Sequence, residues 1–119
     1  MVRKAKPSYQ EFYLLGGSGI IDDYPTSVTV GEPFSVEVGI KNHQSNEHDY
    51  IVLAAVDGRA VGMIDNVYVD PDGSWEDKLV MRINRPGLDQ KVDIFLVDRE
   101  DLNWSKKLTL WVDVLDLVP

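Results

Sequence analysis

One segment constrains the fold more than any other: the run from Phe34 to Lys41, in which apolar residues alternate with polar or small ones. The apolar positions are Phe34, Val36, Val38 and Ile40. Side chains of a β-strand point to opposite faces with a period of two, so the run predicts a strand with one buried face. Gly31-Glu32-Pro33 breaks the chain ahead of it, after a shorter strand at Val28–Val30.

Similar runs recur along the chain with turn residues between them. We predict further strands at Tyr9–Leu15, Tyr50–Val56, Ala60–Ile64, Trp75–Ile83, Val92–Val97 and Leu108–Leu115. Asp57-Gly58 suits a tight hairpin, because both residues tolerate positive φ. Asp70–Gly73 predicts a second turn, with Gly73 free to take the left-handed conformation. Seven to eight strands without a helical period predict an all-β, immunoglobulin-like antiparallel β-sandwich.

The length of 119 residues fits one domain that buries a core without covalent staples. We expect residues 1–8 to form a flexible N-terminal stub and residues 9–119 to form a single β-sandwich domain. Twenty acidic against twelve basic residues give a net charge of -8. This charge disfavours binding to nucleic acid or to an anionic membrane surface, since both need a positive footprint.

The absence of cysteine from the sequence excludes disulfides, a thiolate nucleophile and thiolate zinc sites. The sequence has no apolar run of about 18 residues, so we expect no direct membrane insertion by this chain. The sequence contains few motifs of catalytic or cofactor-binding type, so we expect no catalytic residues and no cofactor site. The chain has no Gly-x-Ser-x-Gly elbow, and Gly16-Gly17-Ser18-Gly19 does not lead into a helix that could hold an oxyanion or a phosphate.

Two groups of residues could bind a metal. Asp65, Asp70 and Asp72 are candidate calcium ligands, because calcium prefers several carboxylate and carbonyl oxygens. The alternative is that Asp70–Gly73 is only a turn, which its composition explains by itself. His43 and His48 are the two histidines of the chain. Their spacing matches no zinc motif, so we interpret them as parts of a solvated loop.

The three tryptophans are candidate binding residues: Trp75, Trp104 and Trp111. Exposed aromatic rings stack on sugars or anchor a protein partner. Buried tryptophan, in contrast, commonly anchors the core of a sandwich. We predict that Trp111 belongs to the core, although its parity is opposite to that of Leu110 and Val112, and leave both roles open for Trp104.

Several segments carry a resemblance to a known family. They are Tyr9–Gly16, Tyr24–Glu32, Val38–His43, Trp75-Glu76, Gln90–Leu96 and Leu108–Val114. These segments are spread over residues 9–114, and in them the chain resembles the soluble domain of uncharacterised archaeal membrane proteins, a domain of unknown function. A looser likeness, carried by Val28-Thr29-Val30-Gly31-Glu32, is to cell-adhesion-type immunoglobulin-like modules.

The resemblance implies where the domain is located in the cell, but it implies no activity. In that family several transmembrane helices precede an outward-facing β-domain. We therefore expect a non-catalytic, extracytoplasmic interaction or structural module, tethered to the membrane in its parent protein. Its partner would be another protein or the parent's own membrane region. The alternative is a carbohydrate-binding module that uses exposed aromatic side chains.

Overall fold

Eight β-strands make up the regular structure of residues 9–15, 26–43 and 48–117, which the computed structural model describes. The strands are β1 (Gln10–Leu15), β2 (Ser27–Thr29), β3 (Phe34–Asn42), β4 (His48–Val56), β5 (Arg59–Val69), β6 (Ser74–Met81), β7 (Gly87–Asp98) and β8 (Trp104–Leu115). All the predicted strands are present, and β4, β5, β7 and β8 extend beyond their predicted bounds by two or more residues. Residues 1–8 lie outside the described part, so the N-terminal stub stays a prediction.

The strands form two sheets, of three strands in the order β1-β3-β6 and of five in the order β2-β8-β7-β4-β5. Neighbouring strands are antiparallel except β2 and β8, which are parallel. The strands from β3 to β8 take the places of strands B, C, C′, E, F and G of an immunoglobulin domain. This arrangement confirms the predicted immunoglobulin-like β-sandwich.

The core lies between the two sheets and is built from the alternating side chains of each strand. In β3, Val38 and Ile40 have no exposed surface and Val36 is buried, while Phe34 packs against the core from its edge. Full burial of such a side chain stabilises the fold by about 1.5–3 kcal/mol. The alternation in the sequence therefore identifies the inner face of this strand correctly.

Two turns show how local chemistry fixes the strand connections. Asp57 and Gly58 have φ of 50° and 78°, as the predicted tight hairpin requires. In the second turn the amide of Gly73 donates to the carbonyl of Asp70 at 2.9 Å, which confirms the turn. The left-handed residue there is Asp72, with φ of 54°, so the prediction that Gly73 would take this conformation is wrong. Aspartate tolerates this region because its short side chain can bond locally.

Asn42 joins the two sheets at the end of β3. Its side chain is fully buried, and its Nδ2 donates to the carbonyls of Val69 at 3.3 Å and Asp70 at 3.1 Å. Its own amide donates to the carbonyl of Gly73 at 2.9 Å. Asn42 thus anchors the β5–β6 turn to the three-stranded sheet, at the same end of the sandwich as the β7–β8 hairpin.

Candidate functional site

The outer faces of the two sheets differ sharply in polarity. The outer face of the three-stranded sheet is mainly polar and charged, with Glu11, Glu37, Lys41, Glu76 and Lys78. Its aromatic residue Tyr13 lies across Gly39, and the Tyr13 hydroxyl is 3.2 Å from Oε1 of Glu76. Partial burial, assisted by this bond, raises the pKa of Tyr13. This face is adapted to contact with water.

The outer face of the five-stranded sheet carries a shallow apolar groove of about 410 Å³. The groove is lined by Ile51, Leu53, Met63, Phe95, Val97, Leu102 and Trp104. Three of these side chains are largely exposed, namely Met63, Leu102 and Trp104. Scattered exposed apolar residues need no explanation, but a contiguous apolar patch on a soluble domain commonly marks an interaction site.

Strand register brings the groove residues together. Leu53 of β4 lies directly opposite Phe95 of β7 and Met63 of β5, because β4 pairs with both strands. On the next row, Val97 lies opposite Ile51. Directly opposite residues of an antiparallel pair have their Cβ atoms about 4.5–5.5 Å apart, so these side chains contact one another. The middle of the groove is therefore fixed by the rigid sheet.

The β7–β8 hairpin supplies the exposed end of the groove. Leu102 has φ of 59° and is 68% exposed. Trp104, 57% exposed, lies opposite Val97 and meets Phe95 edge-on with 5.5 Å between ring centroids. The amide of Leu102 donates to the carbonyl of Asp98 at 2.9 Å, which closes the turn and fixes the position of both groove residues.

The other two tryptophans lie apart from the groove. Trp75 is partly buried, lies opposite Ile40 on the inner face and packs against the core. Trp111 is 52% exposed on the outer face, opposite Lys91, so the prediction that it belongs to the core is wrong. Leu110 and Val112 point inward, so Trp111 between them points to the outer face of the sheet. No described element covers that face at Trp111.

The candidate calcium ligands do not converge. The carboxylate of Asp65 forms an ion pair with Arg99, while Asp70 and Asp72 are exposed at the β5–β6 turn. Within residues 9–15, 26–43 and 48–117, no group of three or more side chains of metal-ligating type comes together. Asp70 and Asp72 belong to the turn between β5 and β6, whereas Asp65 lies within β5.

His43 has a partner on the neighbouring strand, while the side chain of His48 lies outside the described residues. Nε2 of His43 is 3.0 Å from Oε2 of Glu11, and the ring of Tyr9 stacks on the imidazole at 4.4 Å. The hydrogen bond to His43 holds the pKa of Glu11 below its usual value, and the charges of His43 and Lys41 act in the same direction. This cluster joins β1 to the end of β3.

A comparison with protein families identifies the chain. Residues 3–113 match a family described as a domain of unknown function, DUF1616. The chain belongs to the DUF1616 family. This confirms the resemblance to a domain of unknown function. No curated protein matches the sequence of this DUF1616 chain.

Solved structures confirm the fold of the DUF1616 domain at low sequence identity. A crystal structure of a CARDB domain from Pyrococcus furiosus, described as a complex with di-metal ions, has a TM-score of 0.61 at 16% identity, covering 91% of this chain and 89% of that one. A FixG-related protein from Vibrio parahaemolyticus has a TM-score of 0.60 at 7% identity, covering 92% and 98%. A family 123 glycoside hydrolase from Clostridium perfringens has a TM-score of 0.59 at 8% identity, covering 92% of this chain and 28% of the enzyme. At these identities the likeness concerns the fold alone.

Sequence reasoning identified one residue of the DUF1616 groove, Trp104, and missed the others. The missed residues are Ile51, Leu53, Met63, Phe95, Val97 and Leu102. The sequence did contain a signal for the groove. A strand with one face in water alternates between apolar and polar residues, whereas β4 and β7 have apolar residues at consecutive positions.

Within the described residues, no helix is long and apolar enough to cross a membrane.

Proposed function

We propose that this domain is a non-catalytic interaction module and that a protein partner binds the apolar groove. The observation that carries the proposal is the groove itself, a contiguous apolar surface on an outer sheet face that no described element covers. Burial of such a surface against a partner is the main favourable term in protein association. The contrast with the charged outer face of the other sheet indicates which side the partner binds.

The composition of the groove supports a protein partner. The central part of a protein interface is poor in charge and rich in aromatic residues and methionine, with a polar rim. Here Trp104 and Phe95 form an aromatic pair, Met63 provides an adaptable apolar surface, and the exposed Lys107 lies opposite Phe95 as a polar neighbour. Tryptophan is also among the side chains enriched at positions that dominate binding energy.

The backbone of Leu102 gives separate support. Five described non-glycine residues have positive φ: Asp57, Asn66, Asp72, Asp89 and Leu102. The four aspartate and asparagine residues tolerate this conformation, whereas a bulky leucine is strained in it. Strained residues are retained mainly at sites where the strain serves a function. A binding surface at this end of the groove explains why a strained leucine exposes its side chain beside Trp104.

A second candidate function, carbohydrate binding, is favoured by the surroundings of Trp111. Its exposed ring shares the outer face with polar neighbours, including Lys91 opposite and Thr109, whose Oγ1 donates to Asp93 at 2.9 Å. An aromatic ring beside hydrogen-bonding groups is suited to stacking on a sugar. Titration with soluble neutral oligosaccharides, followed by tryptophan fluorescence, distinguishes the candidates. Sugar binding lost in Trp111→Ala and kept in Trp104→Ala would favour this function over the groove.

We further propose that the domain works outside the cytoplasm, tethered to the membrane in its parent protein. The support is the resemblance to membrane proteins in which transmembrane helices precede an outward-facing β-domain. The net charge of -8 agrees with a domain that stays in solvent beside anionic lipids. Protease added to intact cells should then remove the domain from the parent protein. Cleavage only after lysis would place the domain inside.

Site-specific crosslinking tests the protein partner. A photoreactive phenylalanine derivative replaces Met63 in the groove or, as the control, Val80 on the opposite outer face. The two side chains are matched, since both are apolar and they are 58% and 56% exposed. Irradiation of cells that express the parent protein should give a discrete adduct from position 63 and none from position 80. The same adducts from both positions, or none from position 63, would contradict a partner in the groove.

A further inference from the structure

A second cavity lies at the opposite end of the five-stranded sheet from the β7–β8 hairpin. It has a volume of about 280 Å³ and is bounded by the β4–β5 hairpin, the start of β5 and the β6–β7 connection. Three arginines line it: Arg59, Arg82 and Arg85. The one carboxylate among the lining residues is that of Asp57, at the hairpin tip.

This concentration of arginine is unusual in an acidic chain, which has twenty acidic and twelve basic residues. The structure describes four arginines, and the fourth, Arg99, forms an ion pair with Asp65. None of the three cavity arginines forms an ion pair within residues 9–15, 26–43 and 48–117. Three arginines thus line one cavity whose lining includes a single carboxylate, and this excess of positive charge favours an anion there.

The floor of the cavity is apolar and held in place by the core. Val56 and Ile83 are buried, at 8% and 3% exposure, and Val61 packs against the core cluster. The arginines, in contrast, are exposed, so the lining combines positively charged residues with an apolar base. A site of this kind suits an anion that carries a small apolar body, since one part meets the guanidinium groups and the other the floor.

Backbone and amide hydrogen bonds fix the segments that carry the arginines. The amide of Arg82 donates to the carbonyl of Val61 at 3.0 Å, which joins β6 to β5. Nε2 of Gln90 donates to the carbonyl of Arg85 at 2.7 Å. The amide of Gly31 donates to the carbonyl of Ile83 at 2.8 Å. The backbone positions of Arg82 and Arg85 are therefore set before a ligand arrives, which lowers the ordering cost of binding.

We propose that this cavity is a binding site for an oxyanion, a carboxylate or phosphate group on a small ligand or at an exposed point of a macromolecule. The guanidinium group presents a planar fork of donors that matches both groups and stays charged at any physiological pH. The volume equals that of about nine water molecules in liquid water. The cavity therefore admits one anionic group with its immediate substituents rather than a length of polymer. The site is separate from the apolar groove, so neither proposal depends on the other.

Titration of the ¹⁵N-labelled domain with inorganic phosphate, and separately with succinate, tests the proposal by NMR. Sodium chloride at equal ionic strength is the reference. We expect saturable shifts of the amide signals in segments 56–61 and 82–90, and the anion that binds tighter identifies the chemical class. Binding should weaken about tenfold or more in the variant Arg59→Gln/Arg82→Gln/Arg85→Gln, since a hydrogen bond to a charged group contributes on this scale.

A charge-matched variant, Lys41→Gln/Lys78→Gln/Lys106→Gln, removes three positive charges away from the cavity and should bind as the unmodified domain does. Equal weakening in both variants would show that only the net charge matters and would overturn the proposal. Shifts that are linear in anion concentration, or that chloride reproduces, would overturn it as well. The titration of the unmodified domain gives this answer even if a variant does not fold.

Discussion

The strained leucine of the β7–β8 hairpin provides a direct test of the groove. Leu102→Asn replaces a bulky side chain at φ of 59° by one that tolerates this conformation. For an ordinary L-residue the left-handed conformation costs about 1–2 kcal/mol, and asparagine recovers part of that cost. Leu102 is 68% exposed, so only about a third of its side chain is shielded, and its loss costs about 0.5–1 kcal/mol. The variant should therefore unfold with a free energy that is unchanged or higher by up to about 1 kcal/mol.

The measurement is urea unfolding followed by circular dichroism, supported by the melting temperature, which should rise by up to about 4 °C. Leu88→Asn is the matched control, because Leu88 is 71% exposed and lies outside the left-handed region. It relieves no strain and should be neutral or destabilised by up to about 1 kcal/mol. A loss of more than about 1 kcal/mol in Leu102→Asn would refute the reasoning, as would an equal gain in Leu88→Asn. Leu102→Asn should also reduce the adduct formed from position 63, because the groove loses its outer wall.

Three further predictions follow from the packing and the titration of buried groups. Asn42→Ala should lower the free energy of unfolding by about 1–3 kcal/mol in urea titration, since two carbonyls lose their side-chain donor. Tyr50 should titrate with a pKa of about 12 by absorbance at alkaline pH, because burial, assisted by the charge of Asp98, disfavours the phenolate. The contribution of Tyr50 to the free energy of unfolding is fully present below the ordinary tyrosine pKa of 10 and is lost as the pH rises through about 12. Tyr50→Phe should remove this titration from the absorbance curve. Gly62→Ala should lower the melting temperature more than Gly39→Ala, because a Cβ at position 62 would clash with the backbone carbonyl of Val80, whereas at position 39 it meets the movable ring of Tyr13.

The fold was predictable because its information is local and repeated. The alternation of β3 identifies the buried face without any knowledge of the partner strand, and Asp57-Gly58 fixes a hairpin by its own φ preferences. Strand lengths were less predictable, since the outer ends of β5 and β7 are held by pairing with distant segments. Asp72 rather than Gly73 takes positive φ because the bond from Gly73 to Asp70 makes Asp72 the third residue of the turn, and the prediction placed the left-handed residue one position too far along.

The candidate site was far less predictable, because it depends on what the outer faces meet. The apolar run of β4 is equally consistent with a strand covered on both faces and with one that exposes an apolar surface. The register between β4, β5 and β7, which no local pattern reveals, gathers Leu53, Met63 and Phe95 into one groove. For Trp111 the alternation did predict an outward direction, and the general tendency of tryptophan to be buried was the wrong guide.

One measurement tests most directly whether the groove is covered by a partner. The chain contains no cysteine, so Met63→Cys and Val80→Cys each introduce a single reactive thiol. In the isolated domain both thiols should react at similar rates with a membrane-impermeant maleimide, since the two positions are 58% and 56% exposed. In intact cells that express the parent protein, position 80 should be labelled and position 63 protected until detergent releases the partner. Equal labelling of both positions in intact cells would show an open groove and contradict the proposed function.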